Sequence, residues 1–168
     1  MQTELIFKQM LQNMTTIKSL IAGISREQAF WKPAASSWSL VEVINHLADE
    51  EVEDFRTRLD LTLHSPNNEW PPIAPEQWVR DRGYNSRDSW ESLQRFCRAR
   101  EESVAWLKAL PDPDWETATR IPGRDPMVAG ALLLCWLAHD WLHIRQLTRL
   151  HYEYLRVTSS PHDLSYAG

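Results

Sequence analysis

Apolar residues recur every three or four positions over four long stretches of the chain, which is the spacing of amphipathic helices. The stretches cover residues 3–22, 40–61, 86–110 and 127–150. Prolines and polar residues separate them, and no stretch shows the strict alternation of a β-strand. Amphipathic helices bury their apolar faces against one another, so the pattern predicts an all-α four-helix bundle.

Capping signals mark where several of these helices begin. Ser39 is followed three positions later by a glutamate, the reciprocal arrangement of a capping box. Asp125 and Pro126 have the form of an N-cap followed by proline at the first helical position, which predicts the start of the fourth long helix. A further capping box at Ser25 predicts a short helix that ends before Pro33.

The segment 63–85 lacks helical spacing, and its prolines and asparagines exclude a long helix, although a short one over 75–81 is compatible with the sequence. The segment is rich in large aromatic residues. These are Trp70, Trp78 and Tyr84. They either fix the loop onto the bundle or line a binding pocket. Long loops in compact domains are usually functional or disordered, so we expect residues 64–85 to help wall the functional site.

Composition places the chain among ordinary globular proteins and excludes two classes of partner. Its 168 residues suffice for one domain, with residues 1–155 as the predicted bundle and 156–168 as a poorly ordered tail. The net charge of -5, with no basic run, argues against nucleic acid or an anionic membrane as partner. The N-terminus lacks the plan of a signal peptide and no apolar run could span a bilayer, so we expect a cytoplasmic protein.

The two cysteines, Cys97 and Cys135, are too few for a disulfide framework and do not form a C-x-x-C motif. Each falls within a predicted helix. We therefore expect both to be buried free thiols without a role in the site.

Two histidines of the fourth long helix carry the main chemical signal. His139 and His143 are four residues apart, one turn plus about 40°, so both side chains project from the same face. The predicted core residues of that face are Val128, Leu132, Cys135, Trp136, Leu142 and Leu147. A pair at this spacing is common by chance, and a buried histidine is more often a hydrogen-bonded core residue than a ligand. Two on one apolar face bring several nitrogens that need partners, so metal ligation and hydrogen-bonded core histidines both stay open.

A third histidine, His46, lies on the second long helix about 60° around from Val43, at the edge of the apolar stripe. It can reach into the core from that edge or remain exposed beside carboxylates. Glu50, one turn later, could orient the His46 ring, accept a proton or act as a ligand. Asp140 lies about 100° off the histidine face, which predicts a supporting or surface position.

The same helix is apolar on nearly every side between residues 132 and 141. Leu134, Leu137 and Trp141 lie on the face away from the histidines. A helix that is apolar all round needs cover on both faces, so we expect a homodimer, with loops of the same chain as the alternative cover.

Taken in order, these residues resemble the DinB/YfiT-like superfamily over roughly residues 5–150. The matching motifs are Trp38-Ser39, Asn45-His46-Leu47, the stretch Gln77 to Asn85, and His139-Asp140-x-x-His143-x-x-Gln146. The resemblance implies an up-up-down-down four-helix bundle in which His46, His139 and His143 bind one divalent metal ion, zinc or nickel. Three protein ligands leave a coordination position open, as in catalytic sites. Ligation needs neutral imidazole, so we expect metal affinity to fall as the pH drops through about 6.

Characterised members of that superfamily include transferases and isomerases that use low-molecular-weight thiols such as bacillithiol or mycothiol. For this chain the resemblance therefore implies a divalent metal and such a thiol as cofactors, with a small electrophile as substrate. The metal would hold the thiol as a thiolate at neutral pH. A stress-response protein that binds metal or ligand without turnover, and a structural bundle with metal-free histidines, are the alternatives.

Overall fold

The computed structural model describes residues 2–123 and 125–167, so Met1 and Gly168, the outer ends of the predicted domain and tail, lie outside the described residues. The helices in chain order are α1 (Thr3–Ile21), α2 (Arg26–Phe30), α3, α4 (Pro75–Asp81), α5 (Ser89–Ala109) and α6 (Ala129–Thr158). Helix α3 is continuous over residues 40–64 and consists of an α-helical part (Leu40–Asp49), a π-helical part (Glu50–Arg56) and a second α-helical part (Thr57–His64). Short 3₁₀ turns cover Tyr84–Ser86 and Ser165–Ala167.

The four long helices α1, α3, α5 and α6 pack into a bundle, which confirms the predicted all-α architecture. Helix α3 packs mainly against α5, and α1 packs against both α5 and α6. Within the described ranges, no strand forms beyond one bridge between Ala118 and Val128. No helix of these ranges has the length and apolar character that a bilayer crossing requires.

The capping signals are confirmed at the start of α3. The Ser39 hydroxyl accepts a hydrogen bond from the Glu42 backbone N–H at 3.3 Å, and the Glu42 carboxylate accepts one from the Ser39 N–H at 2.8 Å. Each of these hydrogen bonds gives a partner to a backbone N–H that the start of the helix would otherwise leave without one. The Ser25 hydroxyl likewise accepts from the Gln28 N–H at 3.1 Å and caps α2.

The prediction that α6 begins at Pro126 is wrong, because residues 127–128 are held in an extended pairing with residues 117–119. The Met127 carbonyl accepts from the Thr119 N–H at 3.0 Å, and the Ala129 N–H donates to the Thr117 carbonyl at 2.8 Å. The helix therefore starts at Ala129, and it continues to Thr158, beyond the predicted boundary at residue 155. The division into domain and tail stays a prediction.

Two apolar clusters form the core, one toward each end of the bundle. The first includes Ile17, Leu40, Ile44, Leu47, Leu93, Phe96 and Leu147. The second includes Phe7, Met10, Phe55, Leu59, Val104, Leu133 and Trp136. Between these two sets, each long helix carries a buried polar side chain: Asn13 on α1, Glu51 on α3, Arg100 on α5 and Asp140 on α6. The bundle therefore has a polar layer between two apolar clusters.

Arg100 of α5 is at the centre of the polar layer and is 1% exposed. Its guanidinium donates two hydrogen bonds to Glu51 of α3, at 2.7 and 2.8 Å, and two to Asp140 of α6, both at 2.7 Å. It also donates to the Met10 carbonyl of α1 at 3.2 Å, and Asn13 of the same helix donates to Asp140 at 3.2 Å. One side chain thus joins all four long helices.

Two acidic residues hold the Arg100 guanidinium in its charged form. Burial alone would lower the pKa of Arg100, but Glu51 and Asp140 raise it above the usual arginine value. Trp136 adds an indole N–H that donates to Glu51 at 2.9 Å. Two carboxylates therefore share one guanidinium and several neutral donors, the arrangement that compensates for removing charges from water.

Burial along α6 differs from the predicted stripe. Its buried face is centred on Asp140, which is fully buried, while His139 lies at one edge of that face. Cys135, predicted as a buried thiol, is exposed, and Leu142 is 53% exposed. Both lie beyond the His139 edge, because the pairing of Asp140 with Arg100 rotates that edge of the helix outward. Cys97 is buried, as predicted.

Removing the Arg100 guanidinium should destabilise the fold strongly, because two carboxylates would remain buried without their shared partner. We expect Arg100→Met to lower the free energy of unfolding by about 3–5 kcal/mol. Arg98→Met, at an exposed position of the same helix, is the matched control and should cost under about 1 kcal/mol. Urea denaturation followed by circular dichroism measures both. Equal stability of the two variants would contradict the role assigned to Arg100.

Candidate metal centre

The three predicted histidines come together where α3 faces α6. His46 Nε2 lies 3.1 Å from His143 Nε2, which lies 3.0 Å from His139 Nε2. One potential ligand atom from each ring lies within 4.8 Å of the others. With Zn–N bonds of about 2.0–2.1 Å, nitrogens of a tetrahedral site are about 3.3 Å apart. The observed separations are close to that value, so the donor set fits one ion.

Hydrogen bonding fixes the direction in which the lone pair of His143 points. Its Nδ1–H donates to Gln146 Oε1 at 2.8 Å, so Nε2 is the unprotonated nitrogen and faces the other two rings. A single lone pair accepts one hydrogen bond, yet both His46 Nε2 and His139 Nε2 are directed at it. If the three rings were held only by hydrogen bonds, one of the two short contacts to His143 Nε2 would lack a shared proton. A cation bound between the three nitrogens would instead accept a lone pair from each of them.

Burial keeps these rings neutral. It lowers the pKa of His46 to about 3, with His143 contributing, and it lowers the pKa of His139 to about 2, again with His143 as the next cause. The pKa of His143 is also lowered by burial, against the opposing effect of the Gln146 hydrogen bond. Neutral imidazole is the form that binds metal ions. These values place proton competition well below the pH of about 6 expected from the sequence.

Aromatic rings enclose the cluster on both sides. The Trp38 ring centroid is 4.9 Å from that of His46, and the Phe55 centroid is 5.0 Å from that of His139. Phe55 in turn stacks on Trp136, with centroids 5.7 Å apart and planes 9° apart. Such packing restricts the ring orientations and excludes water from most of the cluster.

Glu50 is the carboxyl group nearest to His46. Its Oε1 is 4.0 Å from His46 Nδ1, and neither of these buried atoms has a hydrogen-bond partner in the described structure. Burial, followed by the neighbouring Asp54, raises the pKa of Glu50 to about 8. The carboxyl group is therefore neutral at pH 7 but close to its titration range, which suits proton exchange or support of the His46 ring.

Two adjacent glutamates at the start of the π-helical part of α3 both lie inside the bundle. Glu50 approaches His46, while Glu51 binds Arg100. In a regular α-helix neighbouring residues diverge by about 100°. Single π turns within α-helices occur often at functional sites, and this one connects the histidine cluster with the polar layer.

A cavity of about 430 Å³ adjoins the cluster. His143 and Gln146 form its inner wall. Its other lining residues are Pro33, Ser36, Ser37, Trp38, Arg149 and Leu150. The wall thus comes from the segment between α2 and α3 and from the second half of α6. Nothing in the sequence pattern singled out Ser36, Ser37 or Arg149, because only the tertiary packing brings them beside the histidines.

The prediction that residues 64–85 wall the site is wrong for this cavity, whose lining includes none of them. The loop packs against α3 instead. The fully buried Tyr84 donates its hydroxyl to Asp49, and Asn85 accepts from Ser39 at 2.6 Å. Trp70 packs on the second apolar cluster. The aromatic residues therefore fix the loop onto the bundle, which was the other reading of this segment.

The chain is similar to known proteins both in sequence and in structure. A family model described as the DinB superfamily matches residues 9–147. The solved structure of YfiT from Bacillus subtilis, described as "a probable metal-dependent hydrolase with an unusual four-helix bundle topology", superposes with a TM-score of 0.79. The match covers 91% of this chain and 87% of that one at 18% sequence identity. It confirms the predicted up-up-down-down bundle. No curated protein matches the sequence.

The lowered histidine pKa values predict acid sensitivity of the metal-free protein. In the unfolded chain the histidines have a pKa of about 6.5, so below this pH they bind protons, whereas the buried histidines of the folded protein stay neutral. The free energy of unfolding therefore falls as the pH drops. The slope of the free energy of unfolding against pH receives up to about 1.4 kcal/mol per pH unit from each of the three histidines, His46, His139 and His143. Glu50 has a raised pKa and binds a proton in the folded protein, so it offsets about one of these contributions. Urea denaturation in chelator between pH 6.5 and 5 should therefore show a positive slope.

Two variants test the assignment of that slope. His139→Ala should reduce it by up to about 1.4 kcal/mol per pH unit. The control His162→Ala, at an exposed position after α6, should keep the slope of the unmodified chain. A slope that is the same in both variants would contradict burial of His139 in its neutral form.

Proposed function

The chain belongs to the DinB superfamily, and on that premise we propose that it is a metal-dependent enzyme whose divalent ion is held by His46, His139 and His143. The observation that carries this proposal is the convergence of three neutral imidazoles on one point beside a cavity. Imidazole donors suit zinc and nickel. Three protein ligands would leave one position open to the cavity.

The reaction we propose is transfer of a low-molecular-weight thiol to a small electrophile. When bound, the metal ion would supply Lewis acidity, which lowers the pKa of a thiol or a water molecule in the open position. The new bond joins the thiol sulfur to the electrophilic carbon, the thiol loses its proton, and the leaving group departs with its electron pair. Glu50, whose Oε1 is 4.0 Å from His46 Nδ1, would support the His46 ring from the side away from the other two histidines.

The lining of the cavity supports a nucleophile that comes from outside the chain. Cys97 belongs to the first apolar cluster and Cys135 is exposed, and neither lines the cavity. Ser36 and Ser37 do line it, but the unprotonated nitrogen of His143 is directed at the other histidines rather than at a hydroxyl. The described residues thus offer no activated nucleophile of their own.

Hydrolysis is the second candidate, since the open position suits water as well as a thiol. Its support is the structural likeness to YfiT, described as a probable metal-dependent hydrolase. At 18% identity this likeness extends to the fold, so the choice between thiol and water rests on experiment. Metal or ligand binding without turnover is the third outcome.

We expect the untagged protein to retain a single equivalent of zinc or nickel after dialysis against a weak chelator. His46→Ala, His139→Ala and His143→Ala should each lose it, because two imidazoles rarely retain such ions against competition. The control His64→Ala, an exposed histidine beside Asp60, should retain it. Plasma mass spectrometry measures the metal content. Full retention by all three site variants would overturn the proposal.

Turnover separates the three outcomes for the metal-loaded protein. Loss of free thiol with an activated aryl halide as electrophile indicates transfer, and release of acid from small esters and amides without thiol indicates hydrolysis. Either activity should disappear in His139→Ala. Glu50→Gln should be slower than Glu102→Gln, a control at a side chain that is 68% exposed. Metal retention without either activity would favour the binding protein.

A homodimer remains a proposal, and the outer face of α6 supports it. Leu134, Trp141 and Leu142 are 50%, 51% and 53% exposed, respectively, a concentration of apolar surface on one helix. We expect light scattering at micromolar concentration to give twice the chain mass. Trp141→Glu should shift the protein to the monomer, whereas Tyr166→Glu, at a fully exposed tail position, should not. A monomeric mass for the unmodified chain would remove the idea.

A further inference from the structure

The cavity beside the histidine cluster carries one charge. Arg149 is the single lysine, arginine, aspartate or glutamate among the described residues that line it. Hydroxyl groups of Ser36 and Ser37 and the amide of Gln146 are its polar neighbours in the lining. A cavity with a cationic group, hydroxyl and amide donors, and no carboxylate of its own is complementary to an anion.

Arg149 has no ion-pair partner in the part of the chain that the structure describes. The acidic residue one turn further on, Glu153, is paired with Arg156 at 2.9 Å. Other described carboxylates pair elsewhere, as Glu42 does with Lys32 at 2.6 Å. The guanidinium of Arg149 thus keeps its five donors for solvent or for a ligand.

His143 and Arg149 both line the cavity from α6. They are six residues apart, which separates their Cα atoms by about 9 Å along the helix axis and by about 120° around it. Trp38, Leu150 and Pro33 add apolar surface to the same lining. A ligand that reaches from His143 to Arg149 therefore has a polar reactive end, an apolar middle and an anionic end.

We propose that this cavity binds small organic acids, with the carboxylate at Arg149 and the reactive group at the histidine cluster. A single guanidinium with neutral donors matches one negative charge, so a carboxylate fits better than a dianionic phosphate. A volume of about 430 Å³ holds such a molecule. The assignment of the reactive end rests on the proposed metal function, whereas the carboxylate site rests on Arg149 alone.

Matched ligands test the proposal on the full-length, zinc-loaded protein. The probes are 6-mercaptohexanoate and its neutral amide, which place a thiol and a carboxylate or carboxamide at opposite ends of a chain that spans about 9 Å. Isothermal titration calorimetry should show tighter binding of the acid, by about fivefold, a modest factor because Arg149 is exposed to solvent. Raising the salt concentration should shrink that preference.

Variants assign the preference to one residue. Arg149→Gln should abolish it, and Arg149→Lys should restore part of it because the charge returns without the planar fork. Arg145→Gln is the control, since Arg145 is exposed on the same helix and does not line the cavity. Equal affinity for acid and amide in the unmodified protein would overturn the proposal, as would a preference that survives Arg149→Gln.

Failure of the metal function gives a different result. If the protein takes up no zinc, hexanoate and hexanamide replace the thiol probes and report on Arg149 without a metal. An acid preference that depends on Arg149 would then support the carboxylate site while the metal proposal falls. Zinc uptake combined with no acid preference would remove the carboxylate site alone.

Discussion

The pairing of Arg100 with Glu51 and Asp140 is the constraint on which the arrangement of the bundle depends. Three charges removed from water are tolerable only if their hydrogen bonds are complete, and completing them requires α1, α3, α5 and α6 to meet at one level. The apolar clusters on either side stabilise the bundle by burying apolar surface, but this contribution does not depend on how the helices are oriented. The guanidinium supplies direction, because its N–H groups donate to carboxylates only in its own plane.

This pairing also sets the position of the histidines. Asp140 occupies the centre of the buried face of α6, so His139, its neighbour in sequence, lies at the edge of that face. From that edge the ring meets His46 across the interface between α3 and α6, and it also contacts His143, which lines the cavity. A cluster at the centre of the face would be sealed within the core. The polar layer thus holds the histidine nitrogens at a position where burial keeps the imidazoles neutral and a ligand in the cavity can still reach them.

Much of this was predictable from sequence because the relevant signals are local. The spacing of apolar residues predicts the four long helices, and the Ser39 capping box predicts the start of α3. For the histidines, helical spacing left a metal site and a metal-free core both open, and the family resemblance, which the order of the three histidines carries, predicted the cluster. The role of Asp140 was not predictable from its own helix, since a carboxylate is assigned to the surface unless its partner is known. A signal did exist: Arg100 lies four residues after Phe96 and four before Val104, on the apolar stripe of α5. The cavity wall and the extended pairing before α6 depend on contacts between distant segments, which no local pattern encodes.

The π-helical part of α3 determines where this helix can change in length. Its wider turn lies between His46 and Leu59, one a member of the cluster and the other fully buried in the second apolar cluster. Over its seven residues the π-helical part turns by roughly one residue less than an α-helix of the same length, so it takes up one extra residue while the flanking α-helical parts keep their phase. Deleting one residue there would restore regular winding with His46 and Leu59 still on their present faces. The same deletion within Leu40–Asp49 or Thr57–His64 would rotate one side of the helix by about 100° against the other. The helix can absorb many substitutions at its exposed positions, but the π-helical part is the place where it can lose a residue and keep both halves in phase.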